Sequence, residues 1–304
     1  MRREWIGAIA LACLAAVAVA ATATVFVTPP AKRDLIEQGL DLEEAGLVRD
    51  AEAVLLEAAS ADRRFAPRWT LANFYFRRGN RPEFWRWARE GFAVGRYDLE
   101  ALMDLCWTVS ADGAEVWNAL PERLPVWRSY LRYLSQKGRW TAAAPVVNRL
   151  LEQGEARDAS DILDWMDKMA ESGHVGLVAR EWNRLCERNW IACAPSQAGV
   201  VNGAFAIEPV GRGLDWRFVA APQVTPRWAP GAMRFQFGAD APESGELLWQ
   251  PLAESGAFEP AFERSGSLEK ASVEWVAEKG RLALCYRDRP RGAGQLVVKQ
   301  VRKR

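Results

Sequence analysis

The sequence predicts a multidomain chain, α then β: an N-terminal transmembrane helix, a body of stacked helical repeats, and a small C-terminal β-sandwich. Three observations carry this. An uncharged apolar stretch fills residues 5–27. Apolar residues recur at helical spacing through residues 31–198. From residue 199 onward, short alternating runs separated by glycine-rich turns replace that spacing. The predicted boundaries are 1–30 for the anchor, 31–198 for the helical body and 199–304 for the sandwich.

The N-terminal stretch follows Arg2 and Arg3 and stops before Pro29 and Pro30. At about 1.5 Å rise per residue it is long enough to cross a hydrocarbon core of roughly 30 Å. Basic residues at the very start favour a cytoplasmic N-terminus, so the body is expected outside the cytoplasm. A cleaved signal peptide is the alternative, given the Ala-x-Ala patterns around residues 18–23. Either route exports the body.

Within the helical region, Leu35, Gly39, Leu42, Gly46, Ala51, Leu55 and Ala58 fall at successive spacings of 4, 3, 4, 5, 4 and 3. Gly39 and Ala51 let two helices approach, Gly46 permits the turn between them, and the leucines fill the groove. This spacing matches a tetratricopeptide repeat. A looser copy runs through Trp69, Ala72, Phe76 and Gly79, with Phe84, Trp87 and Ala88 on its second helix. A third runs Trp127, Tyr130, Leu134, Gly138, Ala143, Val147 and Leu150. Residues 99–126 are helical in pattern but off-register. Residues 159–172 and 175–189 read as a further pair, turned at Gly173. Such pairs expose apolar faces that only a neighbour covers, which predicts a TPR-like α-helical solenoid with a surface for protein partners. A helical spacer is the bland alternative.

In the C-terminal region, residues 233–237, 273–277, 282–286 and 295–301 read as strands. Turns are expected at 211–213, 238–245, 279–280 and 289–294.

Charge and motifs exclude several functions. Forty basic and thirty-nine acidic residues nearly cancel, so there is no field to gather nucleic acid. The single histidine, His174, follows a turn glycine, so a serine or cysteine triad has little to draw on. No phosphate-cradling loop or metal-ligand spacing is present, and neither a metal nor another cofactor is expected. The chain is therefore read as no enzyme. The alternative is a carbohydrate-active enzyme using paired carboxylates of the C-terminal domain, with Glu243, Glu246, Glu254 and Glu259 as the available acids. Cys186 and Cys193, flanking Asn189-Trp190, are a candidate disulfide; two buried free thiols are the alternative.

The fifteen tryptophans are expected mostly in the core. The candidate ligand-binding residues are Asp215, Trp216, Arg217, Trp249, Gln250, Tyr286 and Arg287. Trp216 would stack on a sugar face while Asp215 and Arg217 hydrogen-bond hydroxyls. The structural alternative turns Trp216 inward and has Asp215 and Arg217 pin strand ends.

Asn202-Gly203-Ala204-Phe205, followed by Gly213-Leu214-Asp215-Trp216-Arg217, resembles a signature of bacterial exported tetratricopeptide-repeat proteins with a C-terminal jelly-roll, carbohydrate-binding-module-like domain. Residues 283–292, 294–298, 105–107 and 181–185 are similar to text of the same family. The resemblance implies anchorage in the inner membrane by a single pass, a periplasmic body, and an association with exopolysaccharide production and export; in a scaffold supporting that system the sandwich would touch glycan or pack as a cap. It implies no reaction. Two departures stand out. Leu214 replaces the usual Phe, and residues 250–272 look shorter and less strand-like than the family's middle section, so an incomplete jelly roll is expected.

Overall fold

The computed structural model describes residues 34–96, 99–110, 112–196, 199–252 and 256–303. The span read at residues 5–27 lies outside the described residues. Among those residues no helix is long and apolar enough to cross a membrane. Among the described residues, ten α-helices come first and antiparallel sheets follow. The chain divides into two compact units, one ending at Gly95 and the other running Arg96–Arg304.

The first unit holds α1 (Leu35–Glu44), α2 (Val48–Ala61), α3 (Phe65–Arg77) and α4 (Arg81–Val94). Asp34 caps α1 by accepting from the Ile36 amide at 3.0 Å. Asn80 caps α4, with Pro82 in its first turn. Gly46, at φ 80°, turns α1 into α2, as its spacing predicts. Gly39 is buried, and a Cβ there would lie 2.5 Å from Leu55 Cδ2, so the two helices meet at a missing side chain. Leu55, Leu71, Phe74, Phe84, Trp87 and Phe92 are all interior. Glu43 accepts from both Arg77 and Arg78, and its carboxyl lies below the ordinary range chiefly through the Arg77 hydrogen bond.

The second unit opens with α5 (Glu100–Val109), α6 (Gly113–Ala119), α7 (Leu124–Gln136), α8 (Ala144–Gln153), α9 (Ala159–Glu171) and α10 (Val175–Glu187). Gly138 and Gly173, both at positive φ, make the turns their positions suggest. The indole of Trp165 donates to the Trp140 carbonyl at 2.8 Å, and that of Trp182 to Ala194 at 2.9 Å, so both rings are buried without stranding a donor. None of the described tryptophans is fully exposed. The sulfurs of Cys186 and Cys193 are bonded, closing a short loop beyond α10. His174 is exposed at the N-terminus of α10.

Among the described residues, eight strands follow: β1 (Arg217–Phe218), β2 (Val224–Ala229), β3 (Ala232–Phe237), β4 (Gly245–Pro251), β5 (Phe258–Gly266), β6 (Ser272–Glu278), β7 (Arg281–Arg287) and β8 (Gly294–Lys303). One sheet runs β1-β4-β7-β6 and the other β2-β3-β8-β5. They share one core, in which Trp216, Phe235, Phe237, Leu247, Leu248, Leu284, Tyr286 and Val298 interlock. Lys279 and Gly280, both at positive φ, form the tight β6–β7 turn.

The stretch expected to lack strands instead carries β5, nine residues long. A bulge at Ala261/Phe262 breaks its alternation, and Pro260 sits in it because β5 is an edge strand, where a missing N–H costs little. Buried Arg289 ties the loops at one end, donating to the carbonyls of Ala241, Pro242 and Gly292 and to Ser267 Oγ.

Candidate functional site

The segment leading into β1 folds around its own polar atoms. Asn202, at φ 49°, donates from Nδ2 to the Ile207 carbonyl at 2.7 Å and accepts from the Ile207 amide at 3.3 Å. Its own carbonyl accepts from the Trp216 indole. Phe205 is fully buried against Trp216. Asp215 accepts from the amides of Val210 (2.7 Å) and Trp216 (2.8 Å), and burial pushes its carboxyl above the ordinary range. Trp216 is 0 % exposed, so it offers no face to a ligand, in line with the inward alternative.

Gly213 explains its own place in this segment. Its φ is +61°, and a Cβ there would lie 2.5 Å from the ring of Trp182. Its amide donates to Asp167 Oδ1 at 2.7 Å. Asp167, on α9, also accepts from Arg212 Nε at 3.0 Å and from Arg217. Arg212 reaches Asp164, one turn earlier, as well. The helices and sheets of the second unit are thus joined at one carboxylate.

Beside this joint lies a cleft of about 490 Å³ lined by Ser135, Trp140, Asp164, Asp167, Lys168, Glu171, Arg212, Arg217 and Trp249. Trp249 is half-buried, and two guanidiniums lie over its ring, Arg217 at 4.6 Å and Arg281 at 4.4 Å. Arg281 is held in turn by Glu246. Glu171 pairs with Lys168 at 2.8 Å. Every lining carboxylate therefore has a cation against it.

Of the residues singled out in the sequence, the cleft brings together Arg217 and Trp249. Gln250 is buried and clamps Val201, accepting from its amide at 2.9 Å and donating to its carbonyl at 3.3 Å. Tyr286 is buried edge-on to Phe237, and burial pushes its phenol up. Arg287 is exposed and pairs with Glu274 at 3.4 Å, away from the cleft lining. Of the acids, Glu246 is tied to Arg281, Glu254 lies outside the described residues, and Glu243 and Glu259 are not among the lining residues. Among the described residues, no group of three or more histidine, cysteine or acidic side chains is placed to hold a metal.

Sequence reasoning missed Trp140, Asp164, Asp167 and Arg212. The signal was faint: Asp164 and Asp167 stand three apart on one helix face, and Arg212 sits between two glycines. No protein-family model matches the chain, and no curated protein is significantly similar to it.

Proposed function

We propose that this chain is a non-catalytic, membrane-anchored scaffold whose periplasmic body supports cell-envelope polysaccharide assembly or export. In this reading the paired helices form a TPR-like solenoid that holds a protein partner. The two-sheet domain, jelly-roll-like, contacts glycan. The anchor is residues 5–27 in the inner membrane. The observation that carries the binding reading is the cleft beside Asp167, where tryptophans and charged side chains converge and each carboxylate is engaged by arginine or lysine. The paired helices with glycine turns support the solenoid. The Cys186–Cys193 bond fits a body exported to an oxidising compartment.

The test is in-cell cross-linking and capture of the full chain from membranes, alongside Lys168→Glu, which reverses a charge on the cleft rim. The reading expects envelope polysaccharide components with the wild type and their depletion with the variant. Recovery of the same unrelated abundant proteins from both would remove the scaffold role. Turnover of a polysaccharide by the purified chain, lost in Glu246→Gln, would turn the reading into the enzyme alternative.

A further inference from the structure

On the outward face of the β2-β3-β8-β5 sheet, Arg227 and Arg234 are direct cross-strand partners. Both are exposed, and neither has an ion-pair or hydrogen-bond partner among the described residues. Like charges placed directly opposite on adjacent strands repel, so this pairing works against the hairpin that carries it. The nearby Lys299 is different, since Glu263 neutralises it. A local rule broken without internal compensation is a mark of a functional position.

The two arginines do not stand alone. With Thr225, Gln236 and Gln295 they line a depression of about 360 Å³, within the usual range for a small-ligand pocket. The lining is wholly polar and contains no aromatic ring, so a neutral sugar would find nothing to stack on. Gln236 spends one of its two amide N–H groups on the Gly294 carbonyl at 3.3 Å, which leaves the other N–H as a donor and the side-chain oxygen as an acceptor. An occupant that brings a negative charge for the guanidiniums and hydroxyls, which both donate and accept, for the amides and the threonine fits this lining. A planar carboxylate matches the guanidinium fork through two parallel hydrogen bonds.

We infer that this sheet face binds a carboxylate-bearing saccharide, a uronic acid unit of an acidic polysaccharide. Arg227 and Arg234 grip the carboxylate, and Thr225, Gln236 and Gln295 take the ring hydroxyls. The inference rests on the glycan-contact part of the proposed function and names its ligand class.

Titration calorimetry of the full-length chain in detergent tests it, with tri-galacturonate, a neutral malto-oligosaccharide and inorganic phosphate as probes. Tri-galacturonate should bind, and more weakly as salt rises from about 0.05 to 0.5 M, because screening shortens the reach of the exposed guanidiniums. The malto-oligosaccharide should give no heat. Arg227→Gln or Arg234→Gln should weaken binding about tenfold, and the double variant about a hundredfold, as expected for loss of one and two charged hydrogen-bonded contacts. The double variant should melt at or above the wild-type temperature, which separates lost binding from lost folding. Unchanged binding by the double variant overturns the assignment. So does equal binding of the neutral sugar, or phosphate competing as well as galacturonate. If no saccharide binds while partner capture through the cleft persists, this inference falls and the scaffold reading stands.

Discussion

At the scale of single residues, the informative positions are those where one atom too many or too few has no outlet. Gly213 is such a place: Gly213→Ala would meet both an unfavourable φ and the Trp182 ring, and should cost about 2–3 kcal/mol in urea unfolding. A wild-type midpoint in that variant would show that the loop yields. Asp158 is another. It is buried, accepts from the Glu155 amide at 2.8 Å, and takes a paired contact from Arg128 at 2.6 and 2.9 Å. Burial alone would raise its carboxyl, but Arg128 and the Glu155 amide win, and it lies below the ordinary value. Its stabilisation is therefore complete above the unfolded-state value of about 4 and is lost as pH falls through the folded value. Asp158→Asn should cost about 2–3 kcal/mol at pH 7 and progressively less as pH falls below about 4, measured by chemical denaturation across that range. A cost that stays constant as pH falls from 7 to well below 4 would show that the carboxylate charge is not what matters. Alternation along the sequence offered an inward Trp216 as the alternative to ligand contact; Trp216 and Tyr286, both singled out as ligand-binding candidates, are buried. Alternation did not reveal the contact of Arg217 with Asp167, since the partners are fifty residues apart and only the finished packing brings them together.

At the scale of elements, glycine turns and helical spacing were readable because both are local. Gly46, Gly138 and Gly173 all take positive φ where spacing places a turn. Strands β2, β4 and β5 were harder. β4 carries a contiguous apolar run with an irregular register at Glu246/Leu248, and β5 bends at its bulge, so neither shows the period of two that marks a strand. The β2–β3 hairpin holds the opposed arginines. Arg234→Gln should stabilise the chain by about 0.5 kcal/mol at low salt, with the gain shrinking as salt rises. A loss of stability on that substitution would mean the repulsion is already relieved. The loop closed by Cys186 and Cys193 should contribute roughly 2–3 kcal/mol by restricting the unfolded chain. Cys186→Ser/Cys193→Ser, compared with wild type with and without reductant, checks this; no difference between oxidised wild type and the variant would remove that contribution.

At the scale of the whole molecule, the order of helices before sheets was visible in composition and spacing. The division at Gly95 was not, because it depends on which helices pack on which, and regular spacing is silent about that. Two compact units in one chain predict departure from two-state unfolding. Two transitions are expected in urea. Gly39→Val, which forces α1 off Leu55, should move only one of them, and Gly213→Ala only the other. A single transition shifted by both substitutions would mean the units unfold as one.

The three-way grip of Asp167 on Arg212, Gly213 and Arg217 has a consequence for how the chain can be cut. A gene split at residue 198 would leave the downstream fragment with two guanidiniums and an amide short of their acceptor. The upstream fragment would keep an indole with nothing lying across it. Each piece should be poorly soluble when made alone, and the two should rescue one another when produced together, since every missing partner is in the other half.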